Sequence, residues 1–206
     1  MTAALIVIGG LAALFTSRRE SRYAYALAKA VAAAGFVWVG LAAGIPQDTA
    51  SRFVIVGLVL SGVGDIALAF QAQLAFRLGT GAFALAHVAY AAAFVMRGVS
   101  IPWLVGAGTA VSVVSVSVWG WLRPHLPHGM ARLIGAYVLV CSAMAALAWS
   151  SYGAGASMTA AVGATAFYVS DLAVARERFV SHSVNDKLWG LPLYYLGQTL
   201  IAWSAR

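Results

Sequence analysis

Two aspartates stand where charge is least expected. Of the six acidic residues, Glu20, Asp48, Glu177 and Asp186 fall in polar connecting stretches, whereas Asp65 and Asp171 fall inside apolar runs. A carboxylate at bilayer depth costs at least about 2.5–3.5 kcal/mol, so one that persists there is a functional candidate. Two carboxylates in one low-dielectric site do not readily ionise together. One keeps its proton and the other loses it. A protonated acid beside an ionised base suits general acid–base hydrolysis. Lys29, His87, Tyr194 and Gln198 also sit within apolar runs, with Tyr90 and Tyr195 beside them. His87 is the one histidine in such a run, so neither a metal nor another cofactor is expected. No G-x-S-x-G elbow marks a serine nucleophile. Cys141, the single cysteine, can form neither an intrachain disulfide nor a thiolate cluster.

The elements that must position these groups follow from composition. Hydrophobic residues make up 62% of the 206 and charged residues 9%, against about 25% charged in a soluble domain. This excludes a soluble globular domain, a disordered chain and a nucleic-acid-binding module. Eight segments approach the length of a spanning helix: Ala3–Ser17, Tyr25–Gly44, Phe53–Phe70, Leu78–Met96, Trp103–Leu122, Leu133–Ser151, Ala154–Ala175 and Leu188–Trp203. None alternates apolar with polar residues as a barrel strand would. The fold expected is all-α, a single polytopic bundle of eight transmembrane helices over residues 1–206. The first span has its positive flank after the apolar run, which is not the order of a cleavable leader. Loops after odd-numbered spans hold nine Lys and Arg, against three on the other side. That asymmetry puts the odd loops in the cytoplasm and both termini on the non-cytoplasmic side. It also accounts for the net charge of +7 without a polyanion partner.

Depth and face then bring the polar residues together. At 1.5 Å per residue, Lys29 and Asp171 lie ~6 Å from the cytoplasmic ends of their spans and Asp65 ~7.5 Å. Tyr194 lies ~9 Å deep, and His87 and Gln198 ~13–15 Å. Helical spacing puts Gly57, Ser61, Gly64 and Asp65 on one face of the third span, and Gly163, Phe167, Ser170 and Asp171 on one face of the seventh. Gly79, Phe83, His87 and Tyr90 form a stripe on the fourth, and Leu191, Tyr194, Tyr195 and Gln198 on the eighth. Six polar groups at matching depth on five helices predict one cavity open toward the cytoplasmic leaflet. His125 and His128 flank a proline-containing loop and receive no role.

Three motifs carry a family resemblance. They are Ser61-Gly62-Val63-Gly64-Asp65-Ile66-Ala67-Leu68, then Phe76-x2-Gly79-x3-Phe83-x3-His87-x2-Tyr90, then Ser170-Asp171 with Tyr194-Tyr195-x2-Gln198. In this order and spacing the chain resembles the lysoplasmalogenase family of multi-pass membrane proteins, also called YhhN-like. It departs from the family at Lys29-Ala30, where Lys-Pro is frequent. The resemblance implies cleavage of the vinyl ether of a lysoplasmalogen by water, giving a fatty aldehyde and a glycerophospho-ethanolamine or -choline. Asp65 and Asp171 would be the catalytic pair. Lys29, or the loop with Arg176, Arg178 and Lys187, would hold the phosphate. His87, Tyr90, Tyr194, Tyr195 and Gln198 would shape the pocket and hold water. The partners implied are a lysophospholipid and bilayer lipid, and the location is a bacterial cytoplasmic membrane.

Two other readings compete. Gly62-Val63-Gly64-Asp65 resembles the GxGD signature of intramembrane aspartyl proteases, but the aspartates stand in reversed order and the Pro-Ala-Leu motif is missing. Asp65, His87 and Asp171 would also serve as a proton relay in a coupled transporter.

Overall fold

Runs of alanine, leucine and valine have no water to bond to in an apolar medium, so their backbone groups pair internally and the runs coil into helices. The computed structural model describes residues 9–14, 21–42, 44–181 and 183–205. Among them every regular element is helical. The helices are α1 (residues 9–14), α2 (Arg22–Leu41), α3 (Thr49–Ala67), α4 (Gln73–Met96), α5 (Ile101–Leu122), α6 (Ala131–Gly153), α7 (Met158–Arg176) and α8 (Lys187–Trp203). The rest of the first expected span, Ala3–Ser17, lies outside the described residues. Helices α2 to α7 are long and apolar enough to cross a membrane. Helix α8 has 17 residues and carries Pro192.

Side-chain caps set the starts of α2 and α3. Ser21 Oγ accepts the Ala24 N–H at 3.3 Å, and Asp48 Oδ1 accepts the Ser51 N–H at 2.8 Å. That amide bond holds the Asp48 carboxyl below the usual carboxylate range. The seventh span starts at Met158 and not at Ala154 as expected. Gly155 takes φ +102°, a left-handed turn that apolar composition does not announce.

The polarity of the bundle is inverted relative to a soluble protein. Leu27, Trp38, Val56, Val88, Val116 and Leu139 are exposed, while Lys29, Asp65, His87 and Gln198 are buried. This is the distribution of a multi-pass membrane protein. The main core joins α2, α3, α4, α6, α7 and α8, with Phe36, Leu58, Tyr90, Phe94 and Phe167 at its centre. Helix α5 stands at the periphery against α6, with only Ser115 and Leu122 buried.

Glycines set the closest approaches. A methyl group on Gly163 of α7 would fall 2.8 Å from Gly197 O of α8, and one on Gly197 would fall 2.8 Å from Gly163 O. The two backbones touch there without side chains between them. Gly57 and Gly64 of α3 leave the space that the Tyr90 and Phe83 rings of α4 occupy. At the end where α4 stops, Arg97 donates to Ser204 Oγ at 3.0 Å and to Ser204 O at 2.8 Å, stapling α4 to the end of α8.

Candidate active site

The face of α3 that carries Ser61 and Asp65 turns inward, as its small residues require. Asp65 Oδ1 lies 2.7 Å from Lys29 Nζ of α2, and its Oδ2 accepts the Tyr195 hydroxyl of α8 at 3.0 Å. Lys29 Nζ also donates to the Asp65 backbone carbonyl at 3.0 Å. Both side chains of this ion pair are 5% exposed. The ammonium and the phenol each bond one oxygen of this carboxyl group.

Asp171 of α7 has different company. Its Oδ2 lies 3.3 Å from His87 Nε2 of α4 and accepts the Cys141 thiol of α6 at 3.4 Å. His87 Nδ1 lies 2.7 Å from Phe83 O. A carbonyl only accepts, so Nδ1 carries a hydrogen and Nε2 is the atom facing the carboxyl group. A proton or a cation between the two atoms would relieve the repulsion of a ring lone pair and a carboxylate oxygen at 3.3 Å. His87 Nε2 is at ion-pair distance without hydrogen-bond alignment, and it is fully buried. The imidazole stacks on Phe167 at 4.4 Å and meets Tyr137 edge-on at 5.5 Å.

Asp65 and Asp171 line one cavity of about 760 Å³, together with Lys29, Tyr137, Cys141 and Tyr194. The cavity reaches the bundle end formed by the start of α2 and the α3–α4, α5–α6 and α7–α8 connections, where Arg22, Arg178 and Lys187 line it. Lys187 pairs with Glu177 at 3.1 Å and Arg176 with Asp186 at 3.6 Å. Among the described residues Arg22 and Arg178 face no carboxylate. Arg178 instead lies over the Phe76 ring at 4.6 Å.

Tyr194 joins the cavity lining to a layer behind it, which the remaining expected residues form. The Tyr194 hydroxyl donates to Ser61 O at 3.0 Å, and its ring packs edge-on against Phe36 and Phe83. The Tyr90 hydroxyl donates to Gln198 Oε1 at 2.6 Å and lies 3.4 Å from Ser61 Oγ. Tyr90, His87, Tyr195 and Gln198 thus buttress the cavity from outside its lining. Two residues of α6, Tyr137 and Cys141, received no role from sequence, yet both line the cavity. Their i, i+4 spacing was the available signal.

Residues 21–205 match the YhhN family. The chain belongs to the YhhN family. Its curated relatives include the lysoplasmalogenase TMEM86A of Bos taurus, 32% identical over 178 residues that cover 81% of this chain and 70% of the relative. TMEM86A of Homo sapiens is 33% identical over the same shares, and the lysoplasmalogenase TMEM86B of Mus musculus is 32% identical over 82% and 69%. No solved structure matches the chain. The YhhN match contains every residue of the cavity described above.

Proposed function

We propose that this YhhN protein is a lysoplasmalogenase that hydrolyses the vinyl ether of a single-chain ether phospholipid. One observation carries the reading: two acids from distant parts of the chain line one cavity with opposite kinds of partner. The names of the curated relatives support it independently. The proton on the His87–Asp171 contact is the acid. It passes to the enol-ether carbon two bonds from the ether oxygen, and the remaining charge spreads over an oxocarbenium ion. Asp65, kept anionic by Lys29 and Tyr195, stabilises that cation and takes a proton from the attacking water. The hemiacetal then collapses to a fatty aldehyde and the glycerophospho alcohol. The division of labour parallels two-carboxylate glycoside hydrolysis.

Lys29 positions Asp65, and the phosphate falls to Arg22 and Arg178 at the mouth, where each cation is free of a carboxylate among the described residues. Tyr90, Tyr194 and Gln198 fix the wall. The Lys- and Arg-rich connections face the cytoplasm of a bacterial inner membrane, both termini lie outside, and the eight helices act as one unit. The substrate enters with its head group at that inner interface.

The test is aldehyde release from lysoplasmalogen by the purified protein. Asp65→Asn and Asp171→Asn are each expected to abolish it in folded protein. Near-normal release from either variant overturns the assignment. Proton-dependent uptake by vesicles with no lipid hydrolysis would favour the transporter.

A further inference from the structure

The hydrolytic scheme leaves Cys141 unused, and with it a cluster whose chemistry goes beyond acid–base catalysis. Cys141 Sγ lies 3.4 Å and His87 Nε2 3.3 Å from the same Asp171 oxygen. A ligand atom from each of the three residues falls within 4.8 Å of the others. They come from three helices, α6, α4 and α7, so the cluster is tertiary and not a by-product of one helical turn. His87 Nε2 is fully buried and has no hydrogen-bond partner. The opposite ring nitrogen donates to Phe83 O, the outer-shell bond that orients a ligating imidazole.

Two of the three spacings fit a tetrahedral ion, and the third, between Cys141 Sγ and His87 Nε2, lies within 4.8 Å and has to close to about 3.5 Å on binding. Zinc bonds of about 2.0–2.1 Å to nitrogen, 2.3 Å to sulfur and 2.0–2.2 Å to oxygen put ligand atoms about 3.3 Å apart for N and O, and about 3.5 Å apart for S and O. Cys141 and Asp171 both line the cavity, which leaves the fourth position to water. One imidazole, one thiolate and one carboxylate select a borderline cation over magnesium or calcium, which take oxygen ligands.

We propose that His87, Cys141 and Asp171 form a binding site for one borderline divalent cation of the Zn²⁺ class. Three bonds form, to Nε2, Sγ and a carboxylate oxygen. The Cys141 thiol proton and the proton on the His87–Asp171 contact leave to solvent, and nothing is oxidised or reduced. The cation then occupies the Asp171 oxygen that the hydrolytic scheme needs, so it acts as a reversible inhibitor. That consequence rests on the hydrolase reading, whereas the binding itself does not.

The purified full chain, stripped of metal in detergent, is titrated with Co²⁺ or Zn²⁺ alone. One ion per chain is expected, with a thiolate-to-cobalt charge-transfer band that Zn²⁺ abolishes. Cys141→Ser should lose the band and bind at least about 10- to 100-fold more weakly. The double change His125→Ala and His128→Ala, at exposed positions, should retain both band and affinity. The proposal is overturned if the folded wild-type chain takes up no stoichiometric ion. It is equally overturned if Cys141→Ser binds as tightly as wild type, or if the His125 and His128 changes abolish binding. Aldehyde release is followed in the same samples. Stoichiometric binding without inhibition leaves the cation site standing and removes Asp171 from the acid role. Absence of any release defeats the hydrolase reading alone.

Discussion

The two acids of the cavity differ in what neutralises them. Asp65 faces an ammonium at 2.7 Å and a phenol at 3.0 Å, a fixed cation and a fixed donor. Asp171 faces an imidazole at 3.3 Å and a thiol at 3.4 Å, partners that gain or lose a proton or bind a metal. One half of the cavity is electrostatically closed and the other is exchangeable. Identical side chains thus acquire different chemistry from their neighbours, as paired carboxylates do in acid–base enzymes.

That contrast is broken most sharply at Asp171. Asp171→Asn removes the proposed acid and should lower aldehyde release by about 10²–10⁴-fold while the protein folds normally. A variant with near-normal release erases the distinction. On the closed side the larger effect is on stability. Lys29→Met leaves a buried anion unpaired and should destabilise the protein by about 3–5 kcal/mol in denaturant unfolding. Lys29→Met combined with Asp65→Leu should recover most of that loss while remaining inactive. If Lys29→Met unfolds no more easily than wild type, the ion pair does not hold Asp65. Tyr195→Phe probes the same carboxylate more gently. Losing a hydrogen bond to a charged group should cost about 1.5–3 kcal/mol, read as a fall in stability together with slower release.

The smallest effect calibrates the others. Asp48 lies outside the cavity, and its carboxyl is held below the usual range by the Ser51 amide. Its folded value is lower than its unfolded value. The stability it adds is therefore present above the unfolded value and lost as pH falls through the folded one. Asp48→Ala should cost about 1 kcal/mol near neutral pH and almost nothing in strong acid, measured by thermal unfolding, with activity per folded molecule unchanged. A drop in activity there would mean that the cavity senses the far end of α3.

The charged residues around the cavity are legible in the sequence because a charge in an apolar run is conspicuous. Lys29, Asp65, His87 and Asp171 stand out against alanine and valine, and depth arithmetic puts them all on the cytoplasmic side of the bilayer midplane. Their pairing is not legible, since the resemblance implies Lys29 as a phosphate ligand whereas the structure pairs it with Asp65. Tyr137 and Cys141 were missed because α6 carries no charge in its interior to mark an inward face. The turn before Met158 was missed because Gly155 changes the backbone without changing hydropathy.

The contact between Gly163 and Gly197 restricts where the proposed lipid substrate would enter. With nothing wider than an α-carbon separating them, α7 and α8 share one welded seam, and an acyl tail finds no doorway there. Asp171, Tyr194 and Tyr195 therefore travel as one plank, and any sideways gate for the tail opens along a different pair of helices.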